Sequence, residues 1–86
     1  MHKLKVMLVD DHAVVRMGFK LLLEACKDIE VVAEADSGEA ALQACELALP
    51  DVVVMDLAMT GIGGIEAIKR LTAKHSQVHI LALSAP

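Results

Sequence analysis

The chain has 86 residues, 56% of them hydrophobic, with a formal net charge of −4, a single Phe and no Trp or Tyr. That length holds one domain at most, and the scattered Lys and Arg, without a basic stripe or base-stacking aromatics, exclude nucleic-acid binding through this segment. No apolar run reaches the ~18 residues of a transmembrane helix, and Met1-His2-Lys3 does not open a signal peptide, so a cytoplasmic location away from membranes is expected.

The hydrophobic pattern alternates between two periods. Lys3 to Val9 reads as a strand. Ala13 to Cys26 reads as a helix, with Val15, Phe19, Leu22, Leu23 and Cys26 on one face. Gly18 within it costs about 1 kcal/mol against Ala, which predicts a close approach to a neighbour. Glu30 to Ala35 is a β-branched run and a second strand. Ser37 suits the N-cap of a helix from Gly38 to Leu49, whose small face (Ala40, Ala41, Ala44, Cys45, Ala48) allows close packing on a sheet. Pro50 ends it. Asp51 to Asp56 is a third strand, apolar through Val52-Val53-Val54, as expected of a strand buried on both faces. A Gly-rich loop, Thr60 to Gly64, leads into a third helix reaching Lys74. Ile65, Ile68 and Leu71 face inward there, and Glu66 and Arg70 pair outside. Gln77 to Ser84 is the fourth strand. The order βαβαβαβ predicts an α/β fold, a parallel sheet with right-handed crossovers. Cys26 and Cys45 are expected to be reduced and buried, having neither redox nor zinc spacing.

Two acidic clusters end two apolar runs: Asp10-Asp11 after the first strand and Asp56 after the third. If those strands are parallel neighbours, the carboxylates converge at the carboxyl edge of the sheet, where open α/β folds place ligands. Their mutual repulsion would be relieved by a hard, oxygen-seeking cation such as Mg2+. Asp56 could serve there as ligand, base or nucleophile, and as a nucleophile toward phosphorus it would form an acyl phosphate. The Ser84 hydroxyl, at another strand end, could donate to a phosphoryl oxygen. His12 follows the acidic pair and could sit near the site, although a surface role is the expectation. His75 and His79 straddle a turn and are not expected to hold metal.

The stretch Val9-Asp10-Asp11-His12-Ala13-Val14-Val15-Arg16-Met17-Gly18 resembles the start of a response-regulator receiver domain, more narrowly that of the NarL/FixJ (LuxR-type) group of two-component regulators. Pro50 to Leu57 resembles the phosphoacceptor strand, Gly61 to Ala67 the loop and helix after it, and Leu81 to Ala85 the strand that carries the switch hydroxyl. The resemblance implies a flavodoxin-like, CheY-like sheet of order 2-1-3-4. It makes Asp56 the phosphoacceptor, charged by a sensor histidine kinase, with Asp11 and Asp56 ligating Mg2+ directly. Asp10 would act through a metal-bound water, Ala58 through its backbone carbonyl, and Ser84 would bind the phosphoryl group.

A receiver of that family continues with a fourth helix, a fifth strand and a fifth helix. On this reading residues 1–86 lack that portion, its phosphoryl-binding lysine and the DNA-binding domain through which a regulator controls transcription. No lysine present takes that role, so phosphorylation is expected to be impaired. Thr60 stands where the family usually has proline. The fourth strand is then an apolar edge and one sheet face is under-covered, which predicts self-association, as a homodimer for example. Two other functions compete. A haloacid-dehalogenase-type phosphatase has Asp-x-Asp-x-Thr, but Asp56-Leu57-Ala58-Met59-Thr60 places Ala58 where the general acid belongs, so an enzyme is not expected. A phosphorylation-independent interaction module is the other.

Overall fold

The structure, a computed structural model, describes residues 3–59 and 63–83. Its elements run β1 (Leu4–Val9), α1 (Ala13–Glu24), β2 (Ile29–Ala35), α2 (Gly38–Ala48), β3 (Val52–Asp56), α3 (Gly63–Lys74) and β4 (His79–Leu83). The strands form one parallel sheet in the order β2-β1-β3-β4. Both the fold class and the strand order expected from the sequence are therefore present. The chain moves outward from β1 to β2, crosses back to β3 and continues to β4. The reversal of direction falls between β1 and β3, which opens a crevice at their carboxyl ends.

Period-two alternation divides the core into two layers. Val6, Leu8 and Val54 point to one face, where Phe19 and Leu23 of α1 pack against them. Met7, Val9, Val53 and Met55 point to the other, against Ala41 and Cys45 of α2 and Ala67 and Leu71 of α3. The apolar run through β3 thus serves both layers. Small residues on α2 and α3 let both helices sit close to the strands. Burial pushes the Cys45 thiol above its ordinary pKa, because the thiolate loses its hydration.

Local signals place the helix ends. Ser37 Oγ accepts a hydrogen bond from the Ala40 N–H at 3.0 Å, capping α2. That helix closes at Leu49, which takes the left-handed conformation (φ 48°) and donates its N–H to the Cys45 carbonyl at 3.0 Å, before Pro50. Helix α3 begins at Gly63, with φ of 79°. At Gly64 a Cβ atom would lie 2.7 Å from both the Asp56 carbonyl oxygen and Leu57 Cα, so only glycine lets α3 start directly against the end of β3. Glu66 and Arg70 form the expected pair at 3.0 Å.

Four expectations change. Helix α1 stops at Glu24, and Cys26 is exposed in the turn that follows, while Cys45 is buried as expected. Val15 and Leu22 are exposed rather than inward, because α1 lies over β1 and β2 and only Phe19 and Leu23 reach their shared core. Gly18 faces open space, with nothing within 4 Å of a Cβ placed there. Ile65 is exposed, and the inward face of α3 is Gly64, Ala67, Ile68 and Leu71, since the close start at Gly64 rotates that helix by its small residues.

Candidate phosphoacceptor site

The parallel register sets Val9 of β1 beside Met55 of β3. Asp10, the first residue past β1, and Asp56, the last residue of β3, therefore lie side by side at the carboxyl edge of the sheet. The Asp10 N–H donates to the Ala35 carbonyl at 3.0 Å, and the Leu57 N–H to the Leu83 carbonyl at 2.9 Å. Pairing thus continues through Asp10 past β1 and through Leu57 just after Asp56, which anchors both acidic positions. Asp10 is buried, Asp56 half-buried and Asp11 exposed.

The side chains converge. One ligand atom from each of Asp10, Asp11, His12 and Asp56 lies within 4.8 Å of all the others. Asp10 Oδ1 accepts the His12 N–H at 2.8 Å and lies 3.1 Å from His12 Nδ1, which is 3.0 Å from Asp11 Oδ1. Asp56 Oδ1 accepts the Ala58 N–H at 2.9 Å, so the residue after next folds back and orients the carboxylate. Unit charges about 4 Å apart near a protein surface interact by about 4 kcal/mol. Three carboxylates at these separations therefore form a concentrated negative field that would attract a cation.

A cleft of about 400 Å³ opens at this point, lined by Asp10, His12, Val15, Phe19, Asp56, Ala58 and Leu83. Its apolar wall is the exposed flank of α1, and its acidic floor is the strand edge. A second cleft of about 410 Å³ lies at the opposite edge of the sheet, between Pro50, Asp51, Lys74 and His75. It is not lined by any of the clustered carboxylates.

The sequence-predicted residues Asp10, Asp11 and Asp56 are thus together, and Ala58 lines the cleft beside them. Ser84 and Thr60 lie outside the described residues, although Leu83, the neighbour of Ser84, reaches the cleft. Two participants are underweighted or missed in the sequence reading. His12, for which a surface role is favoured over a place near the site, is exposed and also part of the cluster. Its adjacency to the acidic pair was the available signal. Arg16 donates from Nη1 to the Asp10 carbonyl oxygen at 2.6 Å and from Nε to Glu34 at 3.1 Å, tying the acidic turn to β2. That tie joins residues distant in sequence and has no local signature. The lysines lie elsewhere: Lys20 pairs with Glu34 and Lys74 with Glu46, while Lys69 is exposed on α3 and Lys3, Lys5 and Lys27 are exposed at or before the starts of β1 and β2.

Residues 6–86 match the model of the response regulator receiver domain. The chain is 44% identical over 81 residues to the response regulator UvrY of Escherichia coli, covering 94% of this chain and 37% of that protein. It is 43% identical over 82 residues to the transcriptional regulatory protein LiaR of Bacillus subtilis, covering 95% of this chain and 39% of the relative. Somewhat over a third of the length of these curated relatives is therefore spanned. Among solved structures, a LuxR-family two-component response regulator from Aurantimonas sp. superposes with a TM-score of 0.90 at 39% identity, over 95% of this chain and 59% of that one. The receiver domain of the putative regulator NarL from Mycobacterium tuberculosis gives 0.93 at 32% identity, over 100% and 69%.

Proposed function

The chain belongs to the response regulator receiver domain family, close to the NarL/FixJ (LuxR-type) regulators, and from that premise we propose that Asp56 accepts a phosphoryl group from the phosphohistidine of a sensor kinase. The observation that carries this reading is the meeting of Asp10, Asp11 and Asp56 at the carboxyl edge of the sheet, with ligand atoms within 4.8 Å of one another. In the transfer, an Asp56 carboxylate oxygen forms the new O–P bond as the donor's P–N bond breaks, leaving an acyl phosphate on Asp56. Asp10 and Asp11 help hold a divalent cation, and their all-carboxylate chemistry suits Mg2+. The Ala58 backbone carbonyl is assigned as a further ligand. When bound, that cation neutralises charge on the phosphoryl oxygens.

The remaining roles belong to this chain's own groups. The Ala58 N–H holds the Asp56 carboxylate in place by its bond to Oδ1. The Ser84 hydroxyl is assigned to bind the phosphoryl group. Val15 and Phe19 give the cleft an apolar wall that limits water at the acyl phosphate. Phosphorylation adds roughly −1.5 to −2 charges at an edge that is already acidic. A change of that size is able to bias a loop or an interface between two states, and so to relay a signal to a transcription-regulating region. No lysine of residues 1–86 is placed at the cluster, so residues 1–86 alone are expected to phosphorylate slowly. Phosphatase turnover is disfavoured because Ala58 offers no general acid.

The β4 edge supports a second role, association of two copies. Among the described strands β4 pairs only with β3, its sequence HILAL carries no Asp, Glu, Lys or Arg, and Leu81 is exposed.

Incubation with Mg2+ and a small acyl phosphate, followed by intact-mass measurement, tests the principal reading. One phosphoryl group should be added, and the adduct should vanish in Asp56→Ala and on chelation of the metal. A wild-type chain that stays unmodified even after prolonged incubation with excess donor, or an adduct that persists in Asp56→Ala, would overturn it.

A further inference from the structure

His12 brings to the acidic cluster a chemistry that carboxylates lack. Its Nδ1 lies 3.0 Å from Asp11 Oδ1 and 3.1 Å from Asp10 Oδ1. Octahedral bonds of about 2.1 Å place adjacent ligand atoms about 3.0 Å apart and opposite ones about 4.2 Å apart. The two contacts made by Nδ1 match the spacing of adjacent corners around one ion. Beyond those two carboxylates, neither capping nor packing holds the ring. His12 is the N-cap of α1, with extended backbone (φ −97°, ψ 104°), yet its side chain makes no capping hydrogen bond. Its backbone N–H is held by Asp10 Oδ1 at 2.8 Å, which fixes the base of the side chain beside that carboxylate. The ring is 68% exposed, so packing does not hold it away from an arriving ion.

We propose that His12 supplies a nitrogen ligand, through Nδ1, to the divalent cation held by Asp10, Asp11 and Asp56, and that this gives the site a preference for Co2+ over Mg2+ and Mn2+. The inference rests on reading the cluster as the cation site of a receiver. Imidazole suits the later first-row divalent metals, whereas Mg2+ and Mn2+ are best served by carboxylate, carbonyl and water. Exchanging a water for an imidazole nitrogen therefore favours the former group selectively. The competing arrangement keeps the ring as a hydrogen-bond donor to both carboxylates, in the place an ion would occupy. In that case removing the ring would strengthen the binding of every cation alike.

Calorimetric titration of the wild-type chain, His12→Gln and His12→Ala with Mg2+, Mn2+ and Co2+ at pH 8, together with the visible spectrum of the Co2+ form, separates these. His12→Gln should weaken Co2+ binding by about tenfold or more while leaving Mg2+ within about threefold, and should shift the Co2+ spectrum toward oxygen-only ligation. His12→Ala should repeat the loss, with unchanged far-ultraviolet circular dichroism. An unchanged Co2+-to-Mg2+ ratio, or tighter binding of all three ions, would overturn the role of His12 alone, provided Asp11→Asn abolishes Mg2+ binding. A wild-type chain that binds no divalent cation would overturn both this role and the reading beneath it.

Discussion

The two faces of the sheet are built to different standards. On one, α2 and α3 lie together over Met7, Val9, Val53 and Met55, and each of those four side chains is at most 1% exposed. On the other, α1 lies over Val6 and Leu8, and not one residue of α1 is itself buried. A helix with its side chains is about 10–12 Å wide, while four strands spaced at about 4.8 Å need more than that. Two helices cover such a width and shield each other's flanks; one helix does neither. Val14, Met17, Leu21 and Leu22 are therefore exposed along α1, and Leu81 is exposed beyond it. Among the described residues, apolar burial is thus concentrated on the α2–α3 face, while the candidate site opens beside the α1 face.

Leu71→Ala should produce the largest effect on this contrast. Leu71 is fully buried in the α2–α3 layer, and truncating such a side chain costs about 2–5 kcal/mol. Urea denaturation should show that loss in its midpoint, and a loss below about 1 kcal/mol would mean the layer is not the stabilising one. Gly64→Ala comes next. The added methyl meets backbone at 2.7 Å, so α3 must shift away from β3, at a cost of about 1–3 kcal/mol. Because the obstructing atoms belong to Asp56 and Leu57, the same variant should also weaken Mg2+ binding, measured by titration. Undiminished binding would show the strand end to be independent of α3.

The smallest stability effect is expected at Leu81→Lys. Ile80 packs in the α2–α3 layer and Leu83 in the α1 layer, so the alternation along β4 turns Leu81 toward the α1 side, where it is 55% exposed. The midpoint should move by no more than about 0.5 kcal/mol. Light scattering at high micromolar concentration should instead show self-association in the wild-type chain and its loss in this variant. A wild-type chain that remains monomeric there would remove the β4 edge as an interface.

Much of this was legible in the chain itself. The seven elements and a parallel sheet follow from the period of the apolar residues, whereas the adjacency of β1 and β3 that brings Asp10, Asp11 and Asp56 together is implied by the resemblance to receiver domains. Ser37 and Pro50 mark the ends of α2 as their chemistry requires. The facing of α1 was not legible. Its pattern names Val15, Leu22 and Cys26 as inward with the same weight as Phe19 and Leu23, because periodicity reports only that a helix has an apolar side. How wide a surface that side meets is decided by the neighbouring helices. The sequence predicts a close approach at Gly18 and a loop at Gly64, yet Gly18 faces open space and a Cβ at Gly64 would lie 2.7 Å from backbone.

The sequence by itself determined the α/β class and the set of acidic residues, since both depend on local spacing and residue chemistry. Tertiary structure alone decided which faces close, that Arg16 clamps the acidic turn to Glu34, and that His12 points Nδ1 at two carboxylates. Those are distances between groups, set by strand register and by how closely α3 can approach β3, and no one-dimensional pattern carries them.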